Sequence, residues 1–201
     1  MSAIKALIWD FAGVILHTVK GSFNSRLAER LGAPLADVEA VLDSPINVRW
    51  DIDEIDDITF YTHLLNALQL PLEKIPVLQH FVVKDFYVDD VVLTNIKTLR
   101  SNYTNVLLTN FPKHFHDFIK TDWIIDGAFD HIIASCDVKL VKPDPAIYQL
   151  ALERAGYEPQ ESVFIDDRPV NVQAAQELGM HGIVFENKTQ AFDQLEKILA
   201  N

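Results

Sequence analysis

The sequence lacks the features that mark secreted, membrane and disulfide-rich proteins. Cys136 is the only cysteine among 201 residues, so an internal disulfide is excluded and a reducing compartment, the cytoplasm, is expected. No apolar run approaches the roughly 20 residues that a membrane-spanning helix needs. Asp10 interrupts the first apolar segment too early for a signal peptide. We therefore expect no membrane partner, and we expect Cys136 to be a small buried residue.

Positive charge is scarce as well. The 17 lysine and arginine residues face 29 aspartate and glutamate residues, which gives a formal net charge of -12. A surface of this charge repels nucleic acid and anionic lipid, so neither is an expected partner. An anionic small molecule would have to be attracted by local positive charge. With 49% hydrophobic residues, the chain can bury one core and a small appended module, and we expect a monomer or a weak homodimer.

Short apolar runs alternate with helical patterns along most of the chain. Each run has the length of a strand and is followed by polar or turn residues. Two of the helical patterns stop at a glycine, as helices commonly do. This alternation predicts an α/β fold, a Rossmann-like parallel sheet covered by helices on both faces. The predicted strands are residues 6–9, 105–108, 131–134, 162–165 and 182–185, and the clearest helices are residues 145–155 and 170–178.

The segment between the first predicted strand and Asp89 has no convincing strand. It contains several helical stretches instead, and it is too long for a simple crossover between neighbouring strands. We predict that it is a small helical cap, and that Asp89 or Asp90 caps the helix with which the chain returns to the core. The predicted cap is residues 17–86, with helical stretches at 23–31, 35–42 and 57–70, and the predicted core is residues 1–16 and 87–201.

Four polar clusters follow predicted strands or begin the helices after them. Open α/β sheets bind their ligands at the carboxyl ends of the strands, so we expect these clusters to meet at one edge of the sheet. Each cluster taken alone has an ordinary structural explanation, such as a strand-end turn, a helix start or a solvated lysine. The order of the four clusters along the chain is what indicates a shared functional site. The clusters are Asp10 with Gly13, Thr109 with Asn110, Lys142 with Pro143, and Asp166 with Asp167.

The order and setting of these clusters resemble those of the haloacid dehalogenase-like hydrolase superfamily. The resemblance extends from Lys5 to about Val184. Within the superfamily the chain is similar to the branch with a small helical cap, close to sugar phosphatases of the glucose-1-phosphate phosphatase type. Secondary features that match are Pro143, Asp144 and Pro145 followed by Ile147 and Tyr148, and the acidic pair followed by Asn171, Ala174 and Ala175.

This resemblance implies a role for each cluster. Asp10 would attack a phosphoryl group and form an aspartyl-phosphate that water then hydrolyses. Thr109, Asn110 and Lys142 would bind the phosphoryl oxygens, and Lys142 would also offset the charge of the neighbouring carboxylates. Gly13 would let the chain turn sharply after Asp10.

The resemblance also implies a magnesium ion as cofactor. Mg²⁺ prefers hard oxygen ligands, and Asp10, the backbone carbonyl of Ala12 and Asp166 would supply them. Asp167 would hold a metal-bound water or orient Lys142 from outside the ligand shell. Asn171 would either orient the acidic pair or face the solvent.

Many members of the superfamily carry a second aspartate where this chain has Ala12. That aspartate would protonate the leaving group, so three possibilities stay open. The substrate has a leaving group that needs little protonation, another group supplies the proton, or the chain is nearly inactive. His17 is a conceivable donor because histidine titrates near neutral pH, although an exposed loop position explains it too. His114 and His116 follow the second cluster and are open to the same two explanations.

Substrate specificity is expected to lie on the insert, since the four clusters handle only the phosphoryl group. Arg49 can bind an anion or hydroxyl groups, Trp50 offers a stacking face for a sugar ring, and Asp51 can accept hydrogen bonds from hydroxyl groups. Trp50 can equally anchor the small core of the insert, which is the commoner role of a tryptophan between helices.

Three functions follow from these observations. The first is a magnesium-dependent phosphatase of a small phosphorylated metabolite, with a sugar phosphate as the expected substrate. The second is a 2-haloacid dehalogenase, which shares the nucleophile and the lysine, needs no metal, and would use Arg49 or Arg26 near the halide. The pair Asp166 and Asp167 argues against it, since that class usually has a Ser-Asn type sequence there. The third is a catalytically silent member of the family.

Overall fold

A five-stranded parallel sheet forms the centre of the computed structural model, which describes residues 3–200 apart from the side chains of residues 81–84. The strand order is β5-β4-β1-β6-β7, and every neighbouring pair is parallel. The predicted α/β fold class is therefore confirmed, with strand bounds shifted by one residue at most. The strands are β1 (Ala6–Trp9), β4 (Thr104–Thr109), β5 (His131–Ala134), β6 (Ser162–Asp166) and β7 (His181–Val184).

Strand β1 lies in the middle of the sheet and is buried along its whole length. Successive side chains of a strand point to opposite faces. Leu7 and Trp9 accordingly join one hydrophobic cluster, and Ile8 joins the other. An apolar residue at every position is what a strand covered on both faces requires. One face packs against helices α9 (Pro145–Ala155) and α10 (Pro169–Glu177), and the other against α6 (Asp90–Leu99) and α11 (Lys188–Leu199).

The ends of these helices are set by local chemistry. The side chain of Asp89 accepts hydrogen bonds from the backbone N–H groups of Val91 and Val92 at 2.9 and 3.1 Å, so Asp89 is the N-cap expected from the sequence. Helix α9 ends at Gly156, which has the left-handed conformation (φ +78°) that glycine adopts without strain. Among the described residues, no helix combines the length and apolar character needed to cross a membrane.

The inserted segment leaves and rejoins the core through a short antiparallel ribbon. Strand β2 (Leu16–Thr18) pairs with β3 (Phe86–Val88). No sequence pattern indicated this ribbon, and the predicted boundaries at 16/17 and 86/87 fall inside it. The insert contains α1 (Phe23–Leu31), α2 (Leu35–Leu42), α3 (Pro45–Asp51), α4 (Asp57–Ala67), a 3-10 turn (Leu72–Lys74) and α5 (Ile75–Lys84).

The described remainder of the core consists of shorter pieces. Cys136 lies in one of them and is buried, as expected. These pieces are α7 (Phe115–Thr121), α8 (Ser135–Val138) and a second 3-10 turn (Pro159–Glu161).

A buried carboxylate ties the start of the insert to its end. Asp85, just before β3, is 2% exposed and accepts two hydrogen bonds of 2.9 Å from Arg30 of α1. Arg26 of the same helix also binds Asp85 and, in addition, Glu29. The same two arginines therefore hold α1 against the chain as it leaves the insert.

Candidate active site

The ends of three neighbouring strands bring the predicted residues together. Strand β1 lies between β4 and β6, and all three are parallel. Asp10, Thr109 and Asp166, at the carboxyl ends of these strands, therefore lie at the same edge of the sheet. The backbone N–H of Asp10 donates to the carbonyl of Ile165 at 2.8 Å, which extends the pairing to Asp10 itself. All three side chains are buried.

Lys142 joins two of these carboxylates. Its ammonium nitrogen Nζ lies 2.6 Å from Asp10 Oδ1 and 2.7 Å from Asp166 Oδ2. Asn110 holds the backbone of Lys142 from both sides, because its Nδ2 donates to the Lys142 carbonyl at 3.0 Å and its Oδ1 accepts from the Lys142 N–H at 2.9 Å. Lys142 is 5% exposed and is therefore not a solvated surface lysine.

The carboxylate of Asp166 is fixed by further donors. The backbone N–H of Arg168 donates to Asp166 Oδ1 at 2.8 Å, and Asn171 Nδ2 lies 3.0 Å from both carboxylate oxygens. Asn171 is 3% exposed, so it does not face the solvent. Tyr148 in turn donates its hydroxyl hydrogen to the backbone carbonyl of Asn171 at 3.0 Å. These hydrogen bonds and the ion pair with Lys142 thus hold the carboxylate of Asp166 in one orientation.

Asp167 lies directly over Gly13. A Cβ atom at Gly13 would be 2.3 Å from Asp167 Oδ2, and Gly13 has the positive φ of +92° that favours glycine. This close approach places Asp167 beside the turn that follows Asp10. Carboxylate oxygens of Asp10, Asp166 and Asp167 all lie within 4.8 Å of one another.

The electrostatics of the cluster follow from its burial. Burial raises the pKa of Asp10 to about 8; Asp166 and Asp167 act in the same direction, and Lys142 acts against them. Burial and the charge of Asp166 likewise raise the pKa of Asp167 to about 6. Burial by itself would lower the pKa of Lys142, but Asp10 and Asp166 outweigh it and the pKa lies above its ordinary value.

The donor set fits a hard divalent cation. Three carboxylates share one lysine, and the charge of Asp166 adds to the effect of burial in raising the pKa of both Asp10 and Asp167. A cation with oxygen ligands relieves such repulsion. The residues therefore suit Mg²⁺ far better than a metal that prefers sulfur or imidazole ligands.

Two residues proposed for the substrate, Arg49 and Trp50, have partners within the insert. Arg49 Nε is paired with Glu54 at 2.8 Å. Trp50 is 8% exposed and its ring is stacked on Phe60, with centroids 4.1 Å apart and an interplanar angle of 2°. The indole N–H donates to Asp57 at 2.7 Å. This packing favours the anchoring role of Trp50 over sugar binding, because a neighbouring ring already occupies one of its faces.

The three histidines have partners of their own. His17 lies in β2, where Nε2 contacts the carbonyl of Val14 at 3.1 Å and burial lowers its pKa. His114 contacts Asp57 at 3.3 Å within an aromatic group, and His116 pairs with Asp137 at 2.9 Å. Their settings do not favour any of them as a proton donor to the cluster at Asp10.

Sequence reasoning missed one polar residue at this edge. Ser135 follows β5, and its hydroxyl oxygen accepts a hydrogen bond from the backbone N–H of Phe111 at 2.9 Å. The same hydroxyl donates to the carbonyl of Asp51, the last residue of α3, at 2.6 Å. Ser135 obeys the rule that identified the other clusters, a small polar residue directly after a strand, so the signal was available.

Comparison with known proteins agrees with this architecture. A family model described as haloacid dehalogenase-like hydrolase matches residues 4–179. The HAD family enzyme bt-2542 from Bacteroides thetaiotaomicron, solved as a complex with magnesium and inorganic phosphate, superposes with a TM-score of 0.71 at 22% identity. That superposition covers 94% of this chain and 100% of the other.

Two curated relatives are also similar in sequence. The sesquiterpene phosphatase astK of Aspergillus oryzae is 26% identical over 184 residues, which is 90% of each chain. The flavin mononucleotide hydrolase 1 of Arabidopsis thaliana is 37% identical over 93 residues, which is 46% of this chain and 36% of that protein. The first curated relatives are matched over a small part of their length, and the chain spans 11% to 13% of them.

Proposed function

This chain belongs to the haloacid dehalogenase-like hydrolases, and we propose that it is a magnesium-dependent phosphatase of a small phosphorylated metabolite. The observation that carries the proposal is the contact of Lys142 Nζ with Asp10 and Asp166 at 2.6 and 2.7 Å. A carboxylate at a strand end, paired with a buried lysine and beside two more carboxylates, suits nucleophilic attack on a phosphoryl group.

In the proposed reaction, Asp10 is the nucleophile. One of its oxygens is bound by Lys142, and the other attacks phosphorus while the bond to the ester oxygen breaks. Water then attacks the aspartyl-phosphate, releases inorganic phosphate and restores the carboxylate. Lys142 favours the ionised form of Asp10 and, with Thr109 and Asn110, orients the phosphoryl oxygens. Asn110 acts partly through the backbone of Lys142, to which it is bonded.

The proposed magnesium ligands are Asp10, the carbonyl of Ala12 and Asp166. Asp167 and Asn171 would support them, Asp167 from above Gly13 and Asn171 through its bonds to Asp166. Mg²⁺ bound there would offset the charge of the carboxylates and polarise the phosphoryl oxygens.

The relatives support phosphoryl chemistry. One named relative is a sesquiterpene phosphatase, another is a flavin mononucleotide hydrolase, and bt-2542 was solved with magnesium and inorganic phosphate. The names of the first two relatives share a phosphate on an organic molecule. A sugar phosphate remains the substrate we propose, and specificity would come from the predicted cap at residues 17–86. We propose that the protein acts in the cytoplasm as a monomer or weak homodimer, on a small molecule rather than on nucleic acid or membrane.

The two other functions have less support. A dehalogenase would need an arginine for the halide, and both candidates are engaged: Arg49 with Glu54, and Arg26 with Asp85 and Glu29. The third acidic residue, Asp167, also favours a metal over a halide. The presence of three carboxylates and one lysine in a single group argues against a catalytically silent member of the family, because such a protein would not require them.

An assay on two substrate classes tests the proposal. Purified protein is given a panel of phosphate esters and, separately, 2-chloropropionate, each with Mg²⁺ and with chelator. We expect the wild type to release phosphate. The release should disappear when chelator is added, and it should be absent in the variant Asp10→Asn. Chloride release that ignores the chelator would establish the dehalogenase instead, and silence towards both substrates in folded protein would favour the inactive member.

A further inference from the structure

The chain has no carboxyl side chain at position 12, yet an ester leaving group needs a proton as its bond to phosphorus breaks. Lys142 is held between Asp10 and Asp166, and its pKa is raised, so it retains its proton. The pKa of His17 is lowered by burial, and its Nε2 is bound to Val14, so little of it is protonated at neutral pH. Asp167, the remaining acid of the four clusters, is assigned to the support of the metal site, so we look for the proton donor on a group outside the clusters.

Asp51, at the end of α3, is an acid that the insert carries to the edge of the core. Its carbonyl accepts the 2.6 Å hydrogen bond from Ser135, and Ser135 also accepts from the N–H of Phe111 at 2.9 Å. Phe111 follows directly on Asn110, one of the residues proposed to bind the phosphoryl group. The end of α3 is therefore fastened to the two strand ends, of β4 and β5, that adjoin the site.

The carboxyl group of Asp51 is buried without a full ion pair. Asp51 is 9% exposed, and its Oδ2 accepts one hydrogen bond, from Asn47 at 3.0 Å. The charges that act on it are those of Lys142, which binds Asp10 and Asp166, and of Arg168, which follows the acidic pair. The carboxyl group thus lies within the electric field of the cluster around Asp10, although it is carried by the insert.

Two other acids near α3, Asp57 and Asp137, are already engaged. Asp57 of α4 binds Trp50 and His114, and Asp137 of α8 binds His116. Burial raises the pKa of Asp51 to about 7, and Arg168 and Lys142 lower it only in part. A carboxyl group in this setting is protonated in a large fraction of molecules at neutral pH, which is the state that a general acid needs.

We propose that Asp51 is the catalytic acid of the reaction, in place of the carboxyl group that position 12 lacks. The inference rests on the proposed phosphatase function. As an Asp10 oxygen bonds to phosphorus, the phosphorus–ester bond breaks, its electron pair stays on the ester oxygen, and the Asp51 proton converts that oxygen to a hydroxyl group. The Asp51 carboxylate then takes a proton from the water that attacks the aspartyl-phosphate, so that inorganic phosphate leaves and both carboxyl groups return to their starting states.

The test compares esters whose leaving groups differ in their need for a proton. p-Nitrophenyl phosphate releases a stable anion, phenyl phosphate a more basic one, and glycerol 3-phosphate an alkoxide. Asp51→Asn should lower kcat/KM for the alkyl ester by about 10²–10³-fold, within the range of general acid catalysis. It should lower kcat/KM for p-nitrophenyl phosphate by about threefold or less, so that the dependence on the leaving group becomes steeper.

Two further variants separate acid catalysis from a structural role. Asp53→Asn removes the same charge two residues away, at a half-buried position with φ +55° that asparagine tolerates, and should leave the dependence on the leaving group unchanged. Asp51→Glu keeps the acid and should recover part of the activity on glycerol 3-phosphate. In the wild type kcat/KM should decrease at high pH as Asp51 loses its proton, and this decrease should be absent in Asp51→Asn. Circular dichroism should show that each variant is folded.

The outcomes distinguish the two proposals. If the wild type hydrolyses these esters and Asp51→Asn slows all of them equally, Asp51 is not the acid while the phosphatase function stands. If the wild type releases no phosphate from any of them or from the wider panel of phosphate esters, the proposed function fails and the role of Asp51 fails with it.

Discussion

Lys142 Nζ lies 2.6 Å from Asp10 Oδ1, so the proposed nucleophile and the principal cation of the site form one buried ion pair. The pair is supported on one side by Asp166, which lies 2.7 Å from the same nitrogen. A buried carboxylate stays ionised only when such a partner compensates the loss of water. The position of Lys142 therefore controls whether Asp10 is available for attack.

Removal of this lysine should abolish most of the activity. Lys142→Met keeps the length of the side chain but leaves Asp10 without its partner, so the carboxyl group would be protonated over a wider pH range. We expect kcat/KM to fall by about 10²–10³-fold for every ester, including those with good leaving groups. Lys139→Met, at a half-exposed lysine nearby, is the control and should remain active. Activity within a few-fold of wild type in Lys142→Met would contradict the proposed role.

Substitution of Gly13 should disturb the metal site. A Cβ at this position would be 2.3 Å from Asp167 Oδ2 and would also strain a backbone with φ +92°. Gly13→Ala should weaken Mg²⁺ binding by about 10-fold or more, as changes beside the ligands of a metal commonly do, and we would measure this by isothermal titration calorimetry.

The control for this substitution separates strain from contact. Gly127 has φ +75°, and apart from its two chain neighbours no atom of the described residues lies within 4 Å of the position that a Cβ would take there, so Gly127→Ala introduces strain alone. Each variant should lose about 1–3 kcal/mol of unfolding free energy in urea, but only Gly13→Ala should lose metal affinity. Equal Mg²⁺ affinity in the two variants would show that Asp167 does not depend on the close approach to Gly13.

Magnesium binding should weaken as the pH falls. Burial raises the pKa of Asp10 to about 8 and that of Asp167 to about 6 in the metal-free protein, so both carboxyl groups gain protons between pH 8 and pH 6. A cation competes with those protons, and its binding releases them. Calorimetric titrations at pH 6, 7 and 8, in two buffers with different ionisation enthalpies, would measure the affinity and the protons released. An affinity that is the same at pH 6 and pH 8 would refute the prediction.

The carboxylate of Asp85 should contribute to stability rather than to catalysis. Asp85 is 2% exposed and holds Arg26 and Arg30, so Asp85→Asn leaves two arginines with a neutral partner. We expect a loss of about 2–3 kcal/mol, less than for a fully buried pair because Arg30 is half exposed. Asp126→Asn, at an exposed residue, is the control and should change stability little. Urea unfolding of the three proteins would measure the difference.

The contribution of Asp85 should also depend on pH. Burial alone would raise its pKa, but hydrogen bonds from Arg30 and Arg26 outweigh burial and the pKa lies below its ordinary value. A carboxyl group with a lowered pKa in the folded state stabilises the fold above its unfolded pKa of about 4, and this contribution is lost as the pH falls through the folded value. The stability difference between wild type and Asp85→Asn should therefore be constant near neutral pH and shrink in acid.

The sequence was sufficient for the sheet and for the residues at its edge. Strand β1 is apolar at each of its positions and ends at Asp10, and such a run followed by a carboxylate has one natural position in a parallel sheet. The same logic found Asp166, whereas Lys142 was found ahead of a helix, from the order of the four clusters along the chain. These predictions succeeded because strand periodicity and strand order determine which ends meet.

Other features depended on contacts that no local pattern reveals. Strands β2 and β3 have three residues each, and their pairing requires residues about 70 positions apart to meet. The contact between Asp85 and Arg30 spans 55 positions. The type of side chain alone suggested that Trp50 could stack on a sugar ring. Whether its ring is free to do so depends on how α3 packs against α4, and in the fold it stacks on Phe60 of α4. Long-range packing therefore limits what local sequence patterns can predict in the insert.

The hydroxyl group of Ser135, which follows β5, connects the end of α3 to the segment that follows β4. It has a single hydrogen to donate. It donates that hydrogen to Asp51 at 2.6 Å, while the carbonyl of Phe111 lies 3.3 Å away as a second acceptor. If α3 moves outward, the hydrogen can turn to Phe111 without leaving a buried hydroxyl unsatisfied. The hydrogen bond between Ser135 and Asp51 by itself therefore opposes displacement of α3 only weakly, because the hydroxyl group has a second acceptor within reach.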